Sequence, residues 1–244
     1  MSSETHGNGD HPVAETPGTP PARRASPRVL IGAAAVIAAV VIAGIVIAVV
    51  GGGTSSAIDK APEVGSLADA IPGAARIEAL LAGIPQDGAT LGRASAPVTV
   101  EEYVDVQCPY CRIAETEILP TVIRKYVRTG KVKVVLRMWA FIGADSTKGQ
   151  AAVIAAGRQG KAYNMLELLF SQQGAENTGW LSDDVLVGAA SSIPGLRVRT
   201  MLADRSSAAV RVEATNVDTI ARRTIGSSNG SSKHMLLRMA SVNG

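Results

Sequence analysis

Histidine is nearly missing from this sequence of 244 residues. The three present are His6, His11 and His234, and none lies between Pro12 and Lys233. A Ser-His or Cys-His hydrolase needs an imidazole within hydrogen-bond reach of its nucleophile, so the central region does not fit one. Cysteine is equally scarce: Cys108 and Cys111, three apart, are the whole complement. No disulfide can bridge distant segments, which excludes a small stapled fold. A strong charge excess is also missing. Lys and Arg total 24 against 21 Asp and Glu, a net +3, which does not make the basic face that a nucleic-acid partner calls for. The excess after Leu196, eight basic residues against three acidic, reads as a solvated face, as the product of an altered reading frame, or as a surface for an anionic partner.

One long apolar run stands out. Val29 to Val50 holds 22 residues, 20 apolar and two glycine, with no charge. As a helix at 1.5 Å per residue it spans about 33 Å, against about 30 Å for the hydrocarbon core of a bilayer. A buried core helix would carry a polar face, and a signal h-region is usually only about 7–15 residues. The run reads as a signal anchor, a single transmembrane helix; the other reading is cleavage near Ser55-Ser56-Ala57. Arg23, Arg24 and Arg28 precede the run, so residues 1–28 belong in the cytoplasm and the rest of the chain outside it. Residues 1–28, rich in Gly, Pro, Ser and Thr, are too poor in apolar surface to offset chain entropy and are expected to be disordered. Residues 51–82 read as an extracytoplasmic tether with one short helix, Ala74–Leu81.

The folded domain is expected over residues 83–225. Val98 to Val106 alternates as a strand does, with Glu102 on the face of Val98, Val100, Val104 and Val106. Cys108-Pro109-Tyr110-Cys111 follows, and the chain turns helical. Leu119, Val122, Ile123, Tyr126 and Val127 form an apolar stripe, Gly130 is a C-terminal stop, and Val132 to Met138 alternates as a second strand. Strand, helix and strand in that order predict a right-handed βαβ unit and an α/β fold. Four helices should follow: Gln150–Gln159, Lys161–Gln172, Ser182–Ser191 and Leu196–Arg223, the last broken near Ser206.

A Cys-x-x-Cys opening a helix has a specific chemical use. Residues i and i+3 share one face of the first turn, within disulfide-bonding range. Cys108 would sit where free backbone N–H groups favour an anion, and Pro109 suits the first helical position. A thiol so placed has a lowered pKa. Cys108 is then the attacking thiolate and Cys111 the resolving thiol. Two other readings stand beside this one: a zinc half-site completed by His234, and two inert core thiols. Zinc wants four ligands, or three plus water, and no second cysteine pair exists. Glu102, six residues before Cys108, reads either as a desolvated carboxylate relaying a proton with Cys111 or as an edge-strand residue reaching solvent.

The residues from Ala96-Pro97-Val98 through Glu101-Glu102-Tyr103-Val104-Asp105-Val106-Gln107 to Cys108-Pro109-Tyr110-Cys111 resemble the opening of the DsbA-like branch of thioredoxin-fold thiol-disulfide oxidoreductases. Gly83-Ile84-Pro85-Gln86 and Thr90-Leu91-Gly92 upstream are similar to it as well. So are Ala155-Ala156-Gly157-Arg158-Gln159-Gly160-Lys161, Leu168-Leu169-Phe170 and Asn177-Thr178-Gly179-Trp180-Leu181, which resemble the helical insertion of membrane-tethered bacterial members. The resemblance covers about residues 83–224. It implies a thioredoxin-like fold with a helical insertion behind one transmembrane helix, and a redox-active disulfide between Cys108 and Cys111. It further implies exchange with thiols or disulfides of exported proteins, recycling by a quinone-linked membrane partner, and no metal or cofactor. Glu102 matches the family's buried acid.

One departure accompanies the resemblance. Family members place a cis-proline loop opposite the dithiol, then two strands and a helix that complete the sheet. Here the last proline is Pro194, and Arg222-Arg223-Thr224-Ile225-Gly226-Ser227-Ser228 stands where that loop should begin. Residues 226–244 resemble a truncated or out-of-frame ending, so the closing strands are expected to be missing and the sheet edges open. An oxidoreductase and an anchored, catalytically impaired binding domain both follow from these features; a reductase would differ only in redox potential.

Overall fold

The computed structural model describes residues 57–225 and the backbone of residues 236–242. The expected cytoplasmic tail, the transmembrane run Val29–Val50, the start of the tether and the polar stretch after Ile225 lie outside the described residues.

Five strands make one sheet in the order β1-β2-β4-β3-β5. Two short strands, β1 (Gln86–Asp87) and β2 (Thr90–Leu91), pair as a hairpin, and β2 adds antiparallel to β4 (Val132–Met138). The centre is β3 (Val98–Val104), which runs parallel to β4 with Val100 opposite Val134, Glu102 opposite Leu136 and Val104 opposite Met138. Valine-rich alternation suits a pleated surface packed on one face. The helical crossover predicted between these two strands is present. It ends where Gly130 adopts φ 75°, a left-handed value that glycine takes without steric cost.

That crossover is not one regular helix. α2 (Pro109–Ile113) leads into a π-helical turn at Ala114–Ile118, then α3 (Leu119–Val122), then a second π turn at Ile123–Val127. Each π turn widens the repeat beyond 3.6 residues. Leu119, Ile123 and Val127, spaced by four, are therefore buried, whereas Tyr126 is 45 % exposed and leaves the expected stripe.

The closing-strand expectation is corrected in part. β5 (Leu236–Val242) pairs antiparallel with β3, Tyr103 facing Leu236 and Val100 facing Met239, with an irregularity between Val98 and Thr99. The open N–H and C=O groups of β3 offer a template for such pairing, and the pairing makes β3 an interior strand. Among the described residues no second closing strand follows it.

The start of the domain also moves. α1 (Ala74–Leu81) forms as expected, but it is packed rather than tethering: Ala74, Ile77 and Leu81 are buried, as is Ala61 upstream. The Arg128 guanidinium donates to the carbonyls of Leu80 at 2.7 Å and Ala82 at 3.0 Å, and the Gly65 N–H donates to the Leu196 carbonyl at 2.8 Å. The packed chain thus includes residues upstream of Gly83, because the apolar residues of α1 recur at helical spacing and cover a neighbouring helix.

The insertion is helical throughout: α4 (Ala144–Gly157), α5 (Ala162–Ser171), α6 (Asp183–Ser191) and α7 (Val198–Asp204), followed by α8 (Ala208–Ile225). The break expected near Ser206 is there, and the Ser207 hydroxyl caps the new helix by accepting from the Val210 N–H at 3.2 Å. α4 begins six residues before the expected Gln150, since its polar first turn, with Asp145 and Ser146 buried, carries no apolar signal. α5 runs through the middle of the domain, buried at every position from Ala162 to Phe170. α4 lies close to the end of the β3 segment because Gly149 has no side chain. A Cβ there would stand 2.4 Å from a Val106 methyl.

Candidate active site at the Cys108–Cys111 turn

The site begins where the β3 segment ends. Asp105 is fully buried, and its carboxylate accepts three backbone N–H groups: Gln107 at 2.9 Å, Phe141 at 2.9 Å and Ile142 at 3.0 Å. This ties the segment after β4 to the approach of the motif. Gln107 is buried as well, donating to the Ser146 hydroxyl at 2.9 Å and accepting from the Asn177 N–H at 2.7 Å. Gln173 donates to the carbonyls of Val106 at 2.7 Å and Cys108 at 3.1 Å. Side chains from α4 and from the segment after α5 therefore hold the backbone on which the dithiol sits. Neither Asp105 nor these glutamines was singled out in the sequence, since nothing local shows that their partners lie 36 to 70 residues away.

Cys108 is the N-cap of α2, in extended conformation at φ −73° and ψ 117°, and Pro109 takes the first helical position. The Cys111 N–H donates to the Cys108 Sγ at 3.3 Å. Both sulfurs are free thiols in this structure. They are driven apart electrically. The Cys111 thiol, with help from the N–H groups of Cys111 and Tyr110, pulls Cys108 down to about 7, against burial and the Asp105 charge. Cys111 is pushed far up, first by its bond to Cys108 and then by burial. One sulfur is thus set to be an anion near neutral pH and the other to hold its proton. Cys108 exposes only 2 % of its surface and Cys111 none, whereas Tyr110 beside them is 60 % exposed. A reacting partner must approach along the Pro109–Tyr110 rim.

Glu102 is on an interior strand and 1 % exposed, so the edge-strand reading of it does not hold. Burial raises its carboxyl to about 7, partly offset by Tyr163 and Glu115. Sequence reasoning missed the groups around it. Glu115, in the first π turn, is 1 % exposed; Glu167 and Tyr163, both on α5, are 4 % and 0 % exposed. Burial raises Glu115 well above the usual carboxylate range, and the charges of Glu102 and Glu167 add to this. Burial likewise raises Glu167, to about 8. The one signal in the sequence is Glu167 standing among the apolar residues Met165, Leu166, Leu168, Leu169 and Phe170. Among the described residues no group of three or more His, Cys, Asp or Glu side chains is arranged to hold a metal ion. The zinc reading that used His234 falls outside the described residues.

The family profile described as Thioredoxin matches residues 86–224, more than half of the chain. "Probable disulfide bond formation protein D" of Bacillus cereus is 33% identical over 100 residues, 40% of this chain and 46% of that protein. Disulfide bond formation protein D of Bacillus subtilis is 28% identical over 116 residues, 46% of this chain and 51% of that one. The chain spans about half the length of the curated relatives it matches. Among solved structures, oxidised BdbD from Bacillus subtilis aligns with a TM-score of 0.55 at 20% identity, over 66% of this chain and 88% of that one. DsbA from Chlamydia trachomatis aligns at 0.53 and 16% identity, over 63% and 83%. At such identities the two structures speak for the fold alone: a thioredoxin-like α/β sheet with a helical insertion. By sequence profile and by fold, the chain belongs to the thioredoxin family.

Proposed function

We propose that this protein is a thiol-disulfide oxidoreductase that exchanges disulfides with exported proteins through Cys108 and Cys111. The observation that carries the reading is the turn itself, where the Cys111 N–H donates to the Cys108 Sγ at 3.3 Å and the two thiols are split, one lowered to about 7 and the other raised. In the oxidised protein a substrate thiolate attacks the Cys108 sulfur, the Cys108–Cys111 bond breaks, and Cys111 leaves with the electron pair and takes a proton. A second substrate thiolate then attacks the substrate sulfur of the mixed disulfide and expels Cys108 as thiolate. The substrate loses two electrons and the protein gains them. Glu102, buried behind the pair, is the proton donor and acceptor for Cys111.

The run Val29–Val50 supports a single-pass anchor in the cell membrane, with the N-terminus cytoplasmic and the dithiol domain outside, where disulfides persist. A quinone-linked membrane partner would return the dithiol to the disulfide. The test is direct: Cys108 should alkylate with a midpoint near pH 7 and form a mixed disulfide with a model peptide. A midpoint near the ordinary thiol value of about 8.5, with no mixed disulfide, overturns the reading.

A second reading has an observation of its own. Cys108 is 2 % exposed, and no proline follows Pro194 to form a substrate loop. These features favour a binding domain that keeps the dithiol but turns over slowly. Multiple-turnover oxidation of a reduced peptide separates the two, and sustained turnover eliminates the second.

A further inference from the structure

The buried acids behind Cys111 number more than the exchange reaction uses. Glu102 comes from β3, Glu115 from the first π turn, and Tyr163 and Glu167 from α5, spaced i and i+4 on one helix face. All four are at least 96 % buried. Glu102 Oε1, Glu115 Oε2, Glu167 Oε1 and the Tyr163 hydroxyl have no hydrogen-bond partner outside the cluster, and within it Glu102 interacts with Tyr163 and Glu115. Buried polar atoms without partners are costly, and a group of them is kept for a purpose other than stability. Three carboxylates cannot all be charged in such a site, so the cluster holds at least one proton.

We propose that Glu167 is the outer member of a proton relay that connects solvent beside Arg76 with the Glu102–Glu115 pair behind Cys111. This rests on the exchange reaction proposed above. Every titratable group that faces Glu167 fits the direction of the path. Glu102 and Glu115 lie inward, on β3 and the π turn, and Glu115 acts electrostatically on Cys111. Tyr163 lies one turn earlier on the same helix and interacts with both Glu102 and Glu167. Outward, on α1, Arg76 is exposed and acts on Glu167, while Glu78 accepts from the neighbouring Asn164 amide at 2.9 Å. When the Cys108–Cys111 bond breaks, Cys111 leaves as an anion and takes one proton from the Glu102–Glu115 pair. Glu167 returns one proton to that pair and is itself reprotonated from water. In the opposite direction the same path carries the Cys111 proton out before it attacks a mixed disulfide.

The experiment measures single-turnover resolution of a preformed mixed disulfide on Cys108 in the full chain, against pH. Glu167→Gln should leave attack of the reduced Cys108 thiolate on a model disulfide unchanged, since Cys111 is not deprotonated in that step, and slow resolution by about tenfold, less than the roughly 10²–10⁴-fold of a direct proton donor. Combined with Glu102→Gln it should slow resolution no further than Glu102→Gln alone, because the two act in series. Arg76→Ala, a surface change that leaves the buried packing intact, should move the pH midpoint of resolution upward. Unchanged resolution in Glu167→Gln, additive slowing in the double variant, or an unmoved midpoint in Arg76→Ala overturns the relay. Should the wild-type chain form no mixed disulfide, the exchange reaction itself falls and the relay with it; a mixed disulfide whose resolution ignores both variants removes the relay alone.

Discussion

The first turn of α2 and the buried patch behind it treat ionisable groups in opposite ways. At the turn, the N–H groups of Cys111, 3.3 Å from the Cys108 sulfur, and Tyr110 act with the Cys111 thiol to favour the charged form of Cys108 despite burial. In the patch, Glu102, Glu115 and Glu167 are just as buried but have few donors aimed at them, and their neutral forms win. Burial alone does not decide charge; the orientation of nearby donors does. Under the proposed exchange reaction, an anion-stabilising turn and a proton-holding patch would supply its two needs, a stable thiolate and a source of protons.

Removing the turn's sulfur breaks the contrast outright. Cys108→Ser should lose mixed-disulfide formation by at least about 10³-fold, read by mass shift with a model disulfide, while Cys111→Ser should trap the mixed disulfide instead.

The patch should show itself in stability against pH. Glu102 at about 7 and Glu167 at about 8 both lie above the ordinary 4.5, so the folded state binds more protons than the unfolded state between those values. Their stabilisation is whole below about pH 4.5 and is lost as pH rises through about 7 to 8, on the order of 3 kcal/mol for Glu102 alone. Cys108 acts with the opposite sign: its contribution is full above 9 and lost as pH falls through about 7. Denaturant melts from acid to mildly alkaline pH should fall steadily, and Glu102→Gln should flatten the slope. A curve that rises with pH would contradict the patch's neutral character.

Asp105 sits between the two regions and sharpens the comparison, being a buried carboxylate that has donors. Asp105→Asn should cost about 1–3 kcal/mol through its unmatched N–H groups and should lower the Cys108 pKa further, seen in thiolate absorbance. A control away from both regions gives the smallest effect. Ser182 caps α6 by accepting from the Val185 N–H at 3.4 Å, and Ser182→Ala should cost about 1 kcal/mol with exchange unchanged.

What the sequence alone determined is what short-range chemistry sets. The alternation of Val98 to Val104 and Val132 to Met138, the Gly130 stop, the break near Ser206 and the position of Cys108 at a helix start depend on residues a few places apart. A βαβ unit and an α/β fold followed from these in order, while the thioredoxin-like topology was implied by the resemblance around Cys108 and Cys111. Tertiary structure decided the rest. That β3 is interior, and Glu102 therefore dry, depends on β5 arriving from more than 130 residues away. That α1 packs, that Tyr126 leaves the apolar stripe, and that Glu115, Tyr163 and Glu167 converge on Glu102 depends on helices meeting and on two π turns shifting phase. A carboxylate's charge is set by the solvent and donors around it, and those are contributed by segments that local patterning does not connect.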